Sequence, residues 1–431
     1  TDPLAPKDDD PSLVKKWHAK LTEYRQQQAQ QLYAMAEECA QNEREDLAYR
    51  LLHEVLHEDP HHAEARRVLG YRRIGGQWRL PQRRPRPRAG RSTHPTFGWP
   101  RSKYWRVDSE HFRVTTNVSA QAGTEVANFL EEVYGVWRQL FFSYWSPPGR
   151  LADRIAGGGR ALGSDSKFEV VLFKDRDEYV RQLTRFEPQI AVSVGYYMQG
   201  QKTAFFYAGD QSALTTWVHE ATHQFFQETG STAPAVGEQS NFWVVEGIAI
   251  YMESMRSGLG FRTVGGLDAS RLQFARYRAL TNSFYVPLKQ LATYGRETLQ
   301  RDDDIRRLYS QASGLAHFLM HADARKYRPV LMRYLQAVYE GRDRDSTLAE
   351  LTGVAFDHLD REYQQFLDLK DDQLGFFDTG VQDLCLTRTS VTDKGVRSLR
   401  GAANLRWLDL SFTPISDAGL SNFGQSTRLN Q

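Results

Sequence analysis

Residues 217–225 read WVHEATHQF. His219 and His223 are four apart, so on a helix both imidazoles project from one face and can reach one metal ion. Glu220 would then point toward the open side of that metal, where it could take a proton from water. Trp217, Val218, Phe225 and Phe226 flank the motif and predict that its helix packs into a core. The pattern H-E-x-x-H occurs twice, however: residues 53–57 read HEVLH. The surroundings must decide between the two copies.

Around HEVLH the helical run stops at Asp59-Pro60, and His61 and Glu64 lie beyond that break. No strand precedes it to form a cleft, and any further ligand would have to come from a different helix. A surface helix is the expectation there. Around HEATH the context differs. Residues 241–254 read NFWVVEGIAIYMES, placing Glu246 after 22 intervening residues, followed by Gly247 and an apolar helical run. Two imidazoles and one carboxylate leave a position open for water, which is the donor set of a catalytic zinc site.

The rest of the chain frames this segment. Its 431 residues are enough for two or three domains, and its formal net charge of +2 gives no bias toward nucleic acid or lipid. No stretch approaches the roughly 20 apolar residues of a membrane span. The opening TDPLAPKDDDP reads as a polar tail exposed by processing. Cys39 and Cys385 define neither a disulfide framework nor a cysteine metal site. Residues 1–71 read as a helical, repeat-like region. Residues 72–103 read as an Arg/Pro-rich linker with Pro81, Pro85 and Pro87, whose arginines could meet an anionic surface but are expected to be solvated. HFRVTTN (111–117) and KFEVVLF (167–173) read as strands, and LADRIAGGGRALGSDS (151–166) as a loop. AVSVGYYM (191–198) and KTAFFYAG (202–209) read as a hairpin across Gln199-Gly200-Gln201, a candidate edge for pairing an extended peptide. Helices are predicted near 176–184, 212–228, 241–256, 268–280, 304–322, 327–340 and 355–369. The fold class is therefore α+β, a small mixed sheet followed by a helical bundle.

The C-terminal segment repeats itself. LCLTRTSVTDKGVRSL (384–399) realigns on LDLSFTPISDAGLSNF (408–423) with a shift of 24. That period and its L-x-L core resemble leucine-rich repeats of the cysteine-containing subtype. About two repeats are visible over 380–431, fewer than a solenoid needs to bury its face. The expectation is an incomplete array, either the front part of a longer protein or a cap.

HEATH with WVVEGIAIYMES resembles the gluzincin group of zinc metallopeptidases, over roughly residues 105–370. The resemblance implies a gluzincin-like domain over 104–375 in which His219, His223 and Glu246 bind Zn2+ and Glu220 is general base and proton shuttle. It suggests Tyr309, in LYSQASGLAHFLMH, as an oxyanion-stabilising hydroxyl, with an ordinary core tyrosine as the other reading. Glu253, two turns after Glu246, would orient a ligand histidine or else sit on a solvated face. The G-x-M-E-N substrate strand of the aminopeptidase branch is absent; the nearest stretch is Gly195-Tyr-Tyr-Met-Gln199. The layout also resembles a bacterial gluzincin-like family without assigned function, often found with helical or leucine-rich repeats, and leans toward an extracytoplasmic location. The expected activity is zinc-dependent hydrolysis of a peptide or protein substrate, as an endopeptidase, with the leucine-rich repeats offered to a protein partner and no nucleic acid as ligand. Two alternatives stand beside it. One is a catalytically inactive zincin-like scaffold. The other is a structural zinc, for which His317 and His321, on one helix face, could supply a fourth ligand.

Overall fold

The computed structural model describes residues 6–75, 77–79, 84–160, 162, 166–209, 213–258, 262–376, 380–424 and 426–430. The chain divides into two compact units, Thr1–Lys174 and Asp175–Gln431. That division falls inside the 104–375 stretch.

The first unit opens with three helices, α1 (Ser12–Gln41), α2 (Glu45–Glu58) and α3 (Ala63–Leu69). Small residues make the α1–α2 seam: Ala29, Ala36, Ala40 and Ala48 are buried beside Leu52 and Val55. This core continues into α5 (Phe142–Trp145) and α6 (Arg150–Ile155), through Phe142 and Leu151. Glu45 accepts from the Gly149 and Ala152 amides at 3.1 and 2.8 Å, capping α6. Arg67 donates to the Arg154 and Ile155 carbonyls, and Arg154 returns bonds to Arg67 and Val68. The helical region therefore does not stand apart, and part of the expected 151–166 loop is helix. Backbone groups so far apart in sequence leave no local signature. Residues 161 and 163–165 of that stretch lie outside the described residues, as do Pro81 and the first residues of the polar tail.

Short strands β1 (Arg72–Ile74) and β2 (Gln77–Arg79) pair antiparallel. Strands β3 (Arg86–Ala89), β4 (Trp105–Asp108), β5 (Phe112–Thr116) and β6 (Phe168–Phe173) form a small mixed sheet. The first two pairings are antiparallel and β5–β6 is parallel. Strand β3 corrects the reading of 72–103 as a linker, while its residues are exposed, as the solvated reading expected. Its one proline, Pro87, fits an edge, where an amide facing solvent is not missed. Helix α4 (Ala120–Leu140), capped by Ser119 at the Ala122 amide, covers the apolar face. It comes close at Gly123, where a Cβ would lie 2.7 Å from Val107 Cγ2.

Glu131 ties α4 to the loop before β5. Its carboxylate accepts from the Ser109 hydroxyl, the His111 amide and the His111 ring, each at 2.7 Å. Burial alone would raise its pKa, but the His111 and Ser109 bonds outweigh that and hold it below the usual carboxylate range. A depressed folded-state pKa contributes stability above the unfolded value of about 4.3, lost as pH falls through the folded value. Glu131→Gln is expected to cost about 1–3 kcal/mol at pH 7. Urea midpoints of the two proteins should converge as the pH is taken below about 4.

The second unit begins with α7 (Arg176–Leu183), then the hairpin β7 (Tyr196–Met198) and β8 (Thr203–Tyr207) across a 3-10 turn at Gln199–Gln201. Ala191 and Val192, expected in the first strand, belong instead to a separate 3-10 turn, Ile190–Val192. The helices follow close to their predicted places: α8 (Ala213–Thr229), α9 (Phe242–Glu253), α10 (Ser270–Leu280), α13 (Ile305–Arg325), α14 (Arg328–Tyr339) and α16 (Phe356–Leu367). Short helices α11 (Leu288–Leu291), α12 (Arg296–Gln300) and α15 (Thr347–Thr352) fill gaps the sequence left open. The fold is mixed α+β.

Near the C-terminus, residues Asp383–Cys385 and Trp407–Asp409 pair in parallel, Leu384 beside Leu408, at the 24-residue shift. Leu384, Leu386, Val391, Val396 and Leu399 form their own buried cluster. Acidic side chains step from one repeat to the next: Asp371 accepts from the Thr392 amide and hydroxyl, and Asp393 from those of Ser416. Helix α10 closes the start of this array. The buried Gln273 donates to the Asp383 carbonyl and accepts from the Cys385 amide, as a neighbouring strand would.

Candidate metal centre

Helix α8 buries Trp217, Val218, Ala221, Phe225 and Phe226, and this fixes which way His219, Glu220 and His223 face. Helix α9 is apolar almost all round, and 11 of its residues are buried, Glu246 among them. Its start is pinned by Asn241, in the left-handed region at φ 57°. Asparagine tolerates that conformation. Its amide donates to Asp343 Oδ2 at 2.7 Å and to the Arg344 carbonyl at 2.8 Å, and its oxygen accepts from Tyr334 at 2.5 Å. Behind Glu246, Gly247 lets α9 approach the backbone of α13 at Ala312.

These constraints bring three predicted ligands together. One donor atom from each of His219, His223 and Glu246 lies within 4.8 Å of the others, a group that could hold a metal ion. The two Nε2 atoms are 3.1 Å apart, and Glu246 oxygens lie 3.3 Å from His219 and 3.8 Å from His223. Glu253 bonds Nδ1 of His219 at 2.6 Å, which leaves Nε2 facing the group. It thus holds the His219 ring rather than sitting on an idle helix face.

The electrostatics follow from burial and these contacts. Burial would lower the His219 pKa, but Glu246 and Glu253 outweigh it and hold the ring well above the ordinary histidine value. Burial takes His223 down to about 3. Burial would raise Glu246, yet the His219 bond and the charges of His223, His219 and Arg296 bring it to about 2. A metal binding to this group would therefore meet an ionised carboxylate and a neutral His223, and would displace the proton on His219.

Glu220 faces the same space. Burial pushes its carboxyl up to about 7, partly offset by His219 and by the Tyr197 amide, which donates to Oε2 at 2.8 Å. Tyr309 is near enough to Glu246 to share a hydrogen bond and also meets Gln300; burial and the Glu246 and Glu220 charges raise its phenol far above the usual value. His317 and His321 do not join the group. Nδ1 of His317 bonds the Ser313 carbonyl at 2.8 Å, and Nε2 of His321 lies 3.0 Å from the Tyr251 hydroxyl. The first HExxH copy gathers no third ligand among the described residues. His53 turns inward against Tyr49, where burial lowers its pKa to about 4, and His57 is exposed. The helix bearing HEVLH buries Ala48, Tyr49, Leu51, Leu52 and Val55, so it is a packed helix with one face in a core rather than the expected surface helix.

Sequence reasoning missed three contributors. The Tyr197 amide reaches Glu220 from the hairpin. Arg296, stacked 4.9 Å over the Phe242 ring, adds positive charge near Glu246 and His223. Gln300 meets Tyr309. The GYYMQ stretch was a visible pointer to the first; the others carry no local signal.

Residues 213–340 match a family model described as "Protein of unknown function (DUF1570)". No curated protein matches the chain. Among the described residues, no helix is long and apolar enough to cross a membrane.

Proposed function

We propose that the chain is a zinc-dependent peptidase of gluzincin type, with His219, His223 and Glu246 as ligands. The single observation that carries this reading is the converging set of two Nε2 atoms and one buried carboxylate, with Glu220 facing it. The donor set fits zinc: two imidazoles and a carboxylate with donor atoms 3.1, 3.3 and 3.8 Å apart, the first ring backed by a carboxylate, and no fourth His, Cys, Asp or Glu in the group among the described residues. When bound, zinc supplies Lewis acidity to a substrate carbonyl and to water.

The chain's own residues account for the remaining work. Glu220 takes a proton from the attacking water and returns it to the leaving amine. A carboxyl poised near neutrality can do both. The Tyr197 amide holds Glu220 in place, and Tyr309 donates to the oxygen that gains charge. Strand β7, with the Tyr197 amide turned toward the site, is where an extended peptide would align. The 24-residue repeats are read as leucine-rich repeats offering a protein-binding surface.

Elemental analysis of the purified chain tests the first step. One zinc per chain is expected, lost in His219→Ala. No zinc in wild type after supplementation would overturn the peptidase reading and leave a repeat-bearing binding protein.

A further inference from the structure

The sheet of the first unit has a second face, opposite α4. The strand register puts Arg86, Asp108, Arg113 and Glu169 in one row across it, and Arg88, Arg106 and Thr115 in the next. Arg113 uses both carboxylates: its guanidinium bonds Asp108 at 2.9 Å and Glu169 at 2.7 Å. Arg86, Arg88 and Arg106 are exposed and have no acidic partner among the described residues. Arg86, Arg88, Asp108, Arg113 and Lys167 line a concavity of about 440 Å³.

Arg88 and Arg106 stand directly opposite each other across an antiparallel pair. Like charges in that position destabilise a sheet. An anion between them reverses that effect. Guanidinium forks match the oxygens of phosphate and sulfate bidentately. Apart from the arginines, the two rows offer two carboxylates that Arg113 already engages, together with Thr115 and Val171. We propose that this face binds a compact multivalent oxyanion of the phosphate- or sulfate-ester class, gripped by Arg86, Arg88 and Arg106. The site is independent of the metal centre and of the function proposed for it.

The test uses the whole chain with pyrophosphate as probe, against sodium chloride at matched ionic strength. Pyrophosphate is expected to raise the unfolding midpoint beyond chloride and to bind by calorimetry as one per chain. The double variant Arg88→Gln/Arg106→Gln should lose about tenfold or more in affinity, as expected for charge-assisted bonds. Its own midpoint without pyrophosphate should hold or rise, because the repulsion is gone. Equal shifts in chloride and pyrophosphate, or unchanged binding by the double variant, would overturn the proposal. Co-sedimentation with anionic phospholipid vesicles, competed by pyrophosphate, would identify the source as a lipid headgroup. Pyrophosphate binding without vesicle binding would identify a soluble phosphate.

Discussion

Glu220→Gln is expected to lower kcat for peptide hydrolysis roughly 10²–10⁴-fold, the usual contribution of a positioned acid–base group, with zinc content unchanged. Glu220 is not among the converging ligands, so the substitution leaves the donor set intact. The glutamine oxygen can still accept from the Tyr197 amide, so the local fold should survive. What disappears is a carboxyl that burial has placed near neutrality, able to hold a proton and release it. Rates on a mixed peptide library, paired with elemental analysis of the same samples, separate the outcomes. Zinc retained and hydrolysis lost supports the assigned role. Zinc retained and hydrolysis unchanged would assign the proton transfer elsewhere. A wild type that holds zinc yet cleaves nothing would favour the inactive scaffold.

What the sequence revealed of this site is what helical spacing and apolar patterning encode. His219 and His223 share a face because they are four apart. Glu246 was recognisable from its place after the HEATH helix, in the apolar run WVVEGIAIYM, where it completes a donor set of two imidazoles and a carboxylate. The break at Asp59-Pro60 separated HEATH from HEVLH, whose further ligand would have to come from a different helix. The helices of the second unit were likewise legible to within a few residues. Contacts between distant backbone atoms were not. Arg154 and Arg67 exchange bonds across 87 residues to hold a helix where glycines announced a loop. Strand β3 hides in an Arg/Pro-rich segment because an edge strand needs neither alternation nor a full set of amides. The Tyr197 amide meets Glu220 only because the hairpin ends beside α8.

The packing behind Glu246 gives the second large effect. Gly247 lies against α13, and a Cβ there would fall 2.6 Å from the Ala312 carbonyl oxygen and 3.0 Å from its carbon. Both are backbone atoms inside a buried helix, so neither can swing away as a side chain could. Gly247→Ala must therefore move one helix off the other. Overpacking of this kind costs about 1–3 kcal/mol. It also displaces the adjacent Glu246, whose oxygens now lie 3.3 and 3.8 Å from the two imidazoles. Metal retention against a chelator should fall together with the thermal midpoint. Gly135→Ala in α4 is the matching control, since a Cβ there meets nothing within 4 Å. A helical glycine with open space around it should gain up to about 1 kcal/mol on conversion to alanine. The two substitutions are thus expected to have opposite signs. If Gly247→Ala were as stable as wild type and held its metal equally well, the close approach of α9 to α13 would not be what places Glu246.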